Sequence, residues 1–208
     1  MRTLLLTSAG MNVKDQILKI LPKPANQIKI AHIITAVNKQ KKKDYYYREI
    51  KAMQDVDFDV KEIDLEGKTE QELKSLLTKK DIIYVQGGNT FWLLKHVRSS
   101  GFDKIIKELL DQGVIYIGVS AGSYIACPTI EMSLWKKEQP EVFGLTDFTG
   151  MTLVPFLMSV HYKPEYAEIL KPHIIKSKYP VKVLTDQQAI LIKDNSYQLV
   201  GMGEEIKL

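Results

Sequence analysis

Short apolar segments that alternate with helical ones constrain this chain more than any other feature. Thr3–Thr7, Ile28–Ile34, Phe58–Ile63, Ile82–Val85 and Val114–Val119 are brief, often β-branched and bounded by turn residues, as strands are. Helix signals lie between them. Asn12 is placed to cap a helix over Val13–Leu21 that Pro22 and Pro24 stop, and Tyr45–Val56 has helical spacing. Thr69 with Glu72 forms a capping box for a helix to Leu77; Asn89 opens Thr90–Arg98; Phe102–Leu110 ends before Gly113. Such alternation implies an α/β fold: a three-layer, flavodoxin-like, mostly parallel sheet with helices on both faces. The last four of these strands read as near-continuous apolar runs, the pattern of strands covered on both sides.

After residue 128 the rhythm breaks. Pro128, Pro140, Pro155, Pro164 and Pro172 punctuate a loop-rich half with one more helix near Glu165–Ser177. Val181–Leu184, Ala189–Ile192 and Gln198–Val200 read as short closing strands, at least partly antiparallel, at one edge of the sheet. At 208 residues the expectation is a single domain over 1–208 with a full core.

Composition narrows the function classes. The longest apolar run, 114–119, is far below the roughly 20 residues a membrane span needs, so no membrane partner is expected. The N-terminal apolar stretch is too short for a signal peptide and reads as a buried first strand. Cys127 is the one cysteine, which excludes an internal disulfide and a cysteine-based metal cluster and suggests a reducing, cytoplasmic setting. Net charge is +4, with Lys39, Lys41, Lys42, Lys43 and Arg48 gathered around Tyr45, Tyr46 and Tyr47. Basic residues among aromatics can bind nucleic acid, but a solvated loop leading into a helix explains them better. The tyrosines can pack there or overhang a neighbouring cleft.

Parallel α/β sheets place their chemistry where strands end and helices begin. At one such junction Ile115–Val119 runs into Gly118-Val119-Ser120-Ala121-Gly122 and then into a helix of small residues. Gly-x-Ser-x-Gly in this setting is a nucleophile elbow: a sharp turn lifts the serine hydroxyl clear, and the helix N-terminus behind it offers N–H groups to an oxyanion. A second junction, Gln86-Gly87-Gly88-Asn89-Thr90, lets backbone N–H groups approach a ligand closely. A plain turn with Asn89 as helix cap, or a phosphate nest, is the alternative.

A serine needs a base, and histidine is the usual one. His32 sits in an apolar strand and reads as core; His96 and His173 read as surface positions on helices; His161 lies at a loop mouth and leads by context. Asp147, Asp186, Glu131 and Glu138 all qualify as the orienting acid by type, and spacing does not choose among them.

Four segments resemble the aspartyl dipeptidase (dipeptidase E) family of serine peptidases, which includes the cyanophycinases: YVQGGNTFWLL at 84–94, GVSAGSYIACPTIE at 118–131, SVHY at 159–162 and VLTDQQAI at 183–190. The resemblance implies Ser120 as nucleophile, His161 as base and Asp186 as acid, a position where the dipeptidases E carry Glu. It implies an oxyanion hole from the N–H groups of Gly88 and Ala121. Where those enzymes have an Arg and then an Asp after the Cys-Pro-Thr-Ile segment, this chain has Glu131 and Trp135. The substrate-binding set is then Asn89, Glu131 and Trp135, and a carboxylate at 131 would disfavour Asp-Xaa peptides.

The expectation is therefore a serine peptidase acting on small peptides, with no metal or organic cofactor, as a monomer or homodimer. The rivals are an esterase or amidase of α/β-hydrolase type with Asp147 as acid, and a non-catalytic small-molecule-binding module.

Overall fold

In the computed structural model, which describes residues 1–136 and 140–208, the middle layer is a seven-stranded sheet. Its strands are β1 (Thr3–Thr7), β2 (Lys29–Ile33), β3 (Asp59–Ile63), β4 (Ile82–Val85), β5 (Ile115–Val119), β8 (Gln188–Lys193) and β9 (Ser196–Gly201), in the order β3-β2-β4-β5-β1-β8-β9. The first five are mutually parallel; β8 runs antiparallel to β1, and β9 antiparallel to β8. Strands β6 (Leu157–Ser159) and β7 (Val181–Val183) pair with each other in a separate two-stranded parallel sheet. This is the layered, mostly parallel architecture that the alternation implies, with β8 and β9 as the late antiparallel strands; the closing strand expected over Val181–Leu184 instead forms β7, outside the main sheet and parallel to β6.

Period-two alternation splits each strand of the seven-stranded sheet between two cores. Leu4 and Leu6 face one side, against α3 (Glu70–Leu77), α4 (Thr90–Ser100), α5 (Phe102–Asp111), α6 (Ala121–Tyr124) and α7 (Ala167–Lys176). Leu5 faces the other, against α1 (Lys14–Lys19) and α2 (Asp44–Gln54). The caps form as their chemistry dictates. Thr69 accepts from the Glu72 N–H while Glu72 reaches back to Thr69, and Asn89 accepts from the Trp92 N–H at 2.8 Å. Gly101, at φ 74°, both ends α4 and precedes α5.

Three further expectations are corrected. Strand β3 is not covered on both faces: it is the sheet edge, and Asp59, Lys61 and Glu62 are exposed, charges that discourage edge pairing. Asn12 caps nothing; a 3-10 turn over Gly10–Val13 precedes the short α1. His96 is buried, not superficial, with its ring edge-on against Trp92, while the irregular segment after Pro140 packs on other residues of α4. Asn89 donates to the Glu141 carbonyl and Arg98 to those of Asp147 and Thr149, while Phe148 and Phe143 pack on Phe91 and Trp92.

No helix among the described residues is long and apolar enough to cross a membrane. Because β1, β4 and β5 are parallel and adjacent, their carboxyl ends meet on one edge, and the chemistry gathers there.

Candidate active site

At the end of β5 the chain turns through Ser120 at φ 48°, ψ −103°, a backbone conformation that costs a non-glycine residue of order 1–3 kcal/mol. The surroundings hold it. The Ser120 N–H donates to the Thr7 carbonyl at 3.0 Å, and the Ser123 hydroxyl bonds the Thr7 and Gly118 carbonyls at 2.8 Å each. A Cβ on Gly118 would lie 2.7 Å from the Gly122 carbonyl oxygen, and one on Gly122 would collide with the Val85 carbonyl. Both glycines of the Gly-x-Ser-x-Gly turn are thus dictated by close backbone approach. Helix α6 behind the turn is only four residues long, so its dipole is slight and the Ala121 amide itself is what it offers.

His161 follows β6 at φ 55°, again left-handed. Its Nε2 lies 3.0 Å from Ser120 Oγ, and its Nδ1 lies 2.6 Å from Asp186 Oδ1. The hydrogen bond with His161, aided by one from Ser8, holds the Asp186 carboxyl down at about 2, so it is ionised and accepts only. Nδ1 must then carry the proton, which leaves the Nε2 lone pair facing the Ser120 hydroxyl.

Ser8, just past β1, completes this arrangement and is the residue that sequence reasoning missed. It is fully buried; its hydroxyl donates to Asp186 Oδ1 at 2.6 Å and accepts from the His161 N–H at 2.8 Å. One side chain thereby fixes both the Asp186 carboxylate and the backbone that carries the His161 ring. The available signal was Thr7-Ser8-Ala9-Gly10, small polar residues at the carboxyl end of a strand.

The glycine loop lies against Ser120: a Cβ on Gly87 would stand 3.1 Å from Ser120 Cβ. Gln86 anchors it from beneath, with Oε1 2.8 Å from Nε2 of His32, which is buried as expected. Tyr45 bonds the Gly87 carbonyl from above at 3.3 Å. Gly88 adopts φ 147° against Ala36, and its amide donates no hydrogen bond among the described residues. The Ala121 amide opens a helix and has no partner within it.

Two cavities meet at this point. One, of about 700 Å³, reaches from Ser8, Ser120, His161 and Asp186 to one side of α2, lined there by Tyr45, Arg48 and Glu49. The other, of about 650 Å³, shares Ser120 and His161 and carries Lys39, Lys41, Lys42 and Lys136 along with Asn89. Two of the three expected substrate contacts lie elsewhere. Glu131 is exposed and lines neither cavity, and Trp135 is buried with its ring stacked on His173, 5.3 Å between centroids. Asn89 does line the second cavity, with its side-chain oxygen committed to capping α4. That cavity's described lining sets four lysines against one carboxylate, Glu141, so the charge beside Ser120 on that side is mainly positive and the premise for rejecting Asp-Xaa fails.

Of the carboxylates open by type, Asp186 is the one brought to His161. Asp147 pairs instead with Arg98 at 3.1 Å, and Glu138 lies outside the described residues. Among the described residues no group of three or more His, Cys, Asp or Glu side chains is arranged to hold a metal ion.

Comparison with known proteins agrees with this fold. Residues 4–200 match the model of Peptidase family S51. An uncharacterised peptidase of Listeria monocytogenes is 32% identical over 146 residues, covering 69% of this chain and 71% of that protein. Peptidase E of a Nostoc species is 32% identical over 134 residues, 64% of this chain and 52% of its own length. The crystal structure of a candidate Peptidase E protein from Listeria monocytogenes superposes with a TM-score of 0.86 at 28% identity, covering 98% of this chain and all of that one.

Proposed function

The chain belongs to peptidase family S51, and from that premise we propose that it is a dipeptidase-like serine peptidase hydrolysing small peptides through Ser120, His161 and Asp186. The observation that carries this reading is the continuous path from Ser120 Oγ through the His161 ring to Asp186, 3.0 Å and 2.6 Å long. Ser120 attacks the scissile carbonyl while His161 Nε2 takes its proton. Asp186 keeps the imidazole in the required tautomer and stabilises the imidazolium that forms. The amides of Gly88 and Ala121 hold the oxyanion. As the tetrahedral intermediate collapses, His161 hands its proton to the leaving amine; water then hydrolyses the acyl-enzyme by the same route.

The two cavities have volumes typical of small-molecule sites, which supports short peptides over folded proteins. A single, buried, unpaired Cys127 fits a reducing cytoplasm. The test is a dipeptide and tripeptide library incubated with the pure protein and read by mass spectrometry. Release of amino acids from short peptides is expected. Hydrolysis confined to esters, with every peptide left intact, would overturn the proposal in favour of an esterase.

A further inference from the structure

Helix α2 turns Tyr45, Arg48, Glu49 and Ala52 towards the larger cavity, positions spaced as one helical face. Glu49 is the unusual member. It is 8% exposed, yet it shares the cavity with Ser120 and His161. Its Oε1 accepts the Met11 N–H at 2.9 Å and the Tyr84 hydroxyl, while Oε2 takes no hydrogen bond among the described residues. No cation pairs with it among those residues, and burial pushes its carboxyl up to about 7. The fold also makes room for it, since a Cβ on Gly10 would collide with Oε1.

A buried carboxylate without a counter-charge destabilises the protein that holds it. A single neutral acceptor at the Oε1 position would tie Met11 and Tyr84 as well, and glutamine would supply it without the charge. What a carboxylate adds is affinity for a cation, and a peptide with a free terminus brings an ammonium group. Resting on the peptidase reading, the geometry points to Glu49 as the seat for the substrate's ammonium group, received by Oε2 inside the Ser120 cavity. Arg48, exposed at the rim of the same cavity, leaves the interior to Glu49. The site thus selects peptides with a free α-amino group over blocked ones.

The test compares kcat/KM for Ala-Phe, N-acetyl-Ala-Phe and N-acetyl-Lys-Phe in the wild type and in Glu49→Gln. The wild type should prefer Ala-Phe over its acetylated form by at least about tenfold, and Glu49→Gln should bring that ratio towards unity. A preference restored by the lysyl side chain in N-acetyl-Lys-Phe and lost in Glu49→Gln supports the same seat with a side-chain ammonium in it. No preference for either ammonium in the wild type, or a ratio untouched by Glu49→Gln, contradicts the inference. Should the glutamine variant fold poorly, Glu49→Asp keeps the charge on a shorter stem and should give an intermediate ratio; an unchanged ratio there also overturns it. Labelling of wild-type Ser120 by a fluorophosphonate keeps the two readings apart. Labelling and hydrolysis without amine preference sink the role of Glu49 alone, whereas absence of both sinks the peptidase reading.

Discussion

At the scale of single residues, the proposed site is a serine in a strained turn, a histidine anchored through its own backbone N–H, and a carboxylate held by two hydrogen bonds. Ser120→Ala should lower kcat by about 10⁴-fold or more with the fold intact, and His161→Ala should be comparably damaging because the two act as a unit. Steady-state kinetics with thermal melts check both; a folded Ser120→Ala enzyme near wild-type rates would contradict the assignment. Ser8→Ala removes the hydroxyl that positions Asp186 and the His161 backbone. It should cost roughly 10–100-fold in kcat with little change in KM, the signature of lost alignment. Equal loss in both constants would point to general damage instead. These residues differ in how legible they were. Gly-x-Ser-x-Gly after an apolar strand declares Ser120, and His161 stands out by its loop context. Asp186 was indistinguishable by type from Asp147 and came forward through family resemblance alone. Ser8 had no motif, since its role exists only when β1 and the segment after β7 are brought together.

At the scale of elements, α4 shows why local pattern misleads. Its sequence reads as a helix with one face to spare, and His96 as a residue on that face. Residues 141–149, an irregular segment whose docking no periodicity announces, pack on Asn89, Phe91, Trp92 and Arg98, and His96 is buried beside Trp92. Among the described residues neither ring nitrogen of His96 has a hydrogen-bond partner, its ring packs against Trp92, and burial holds it below the ordinary histidine range. The unfolded chain therefore binds a proton here more readily than the folded one. Stability is unaffected well above the unfolded value near 6.5 and falls as pH drops below it. His96→Leu should stabilise the protein by about 1–3 kcal/mol, and by more at pH 5 than at pH 8. Urea melts at the two pH values check this; a variant less stable than wild type at both would mean that the ring serves a contact the hydrogen bonds do not reveal.

At the scale of the whole molecule, the alternation of strands and helices foretold the layers and the late antiparallel strands. It did not foretell the strand order. β1 lies between β5 and β8, and that insertion sets Ser8 beside Ser120. It also left the charge of the cleft unreadable: Glu131, next to the nucleophile's segment in sequence, faces away, while Lys39, Lys41 and Lys42, some 80 residues earlier, line the cavity. Asp-Xaa peptides should therefore be cleaved at least as well as Ala-Xaa, with the advantage shrinking as salt is raised. A competition assay at low and high ionic strength checks it, and discrimination against Asp-Xaa would show that the lysines do not meet the substrate. The central claim is that Ser120 is an activated nucleophile, and a fluorophosphonate reports on this directly. Incubation followed by peptide mapping should place one adduct on Ser120 in the wild type, none in Ser120→Ala, and a much slower reaction in His161→Ala. An unlabelled wild type, or an adduct that persists in Ser120→Ala, would contradict the account.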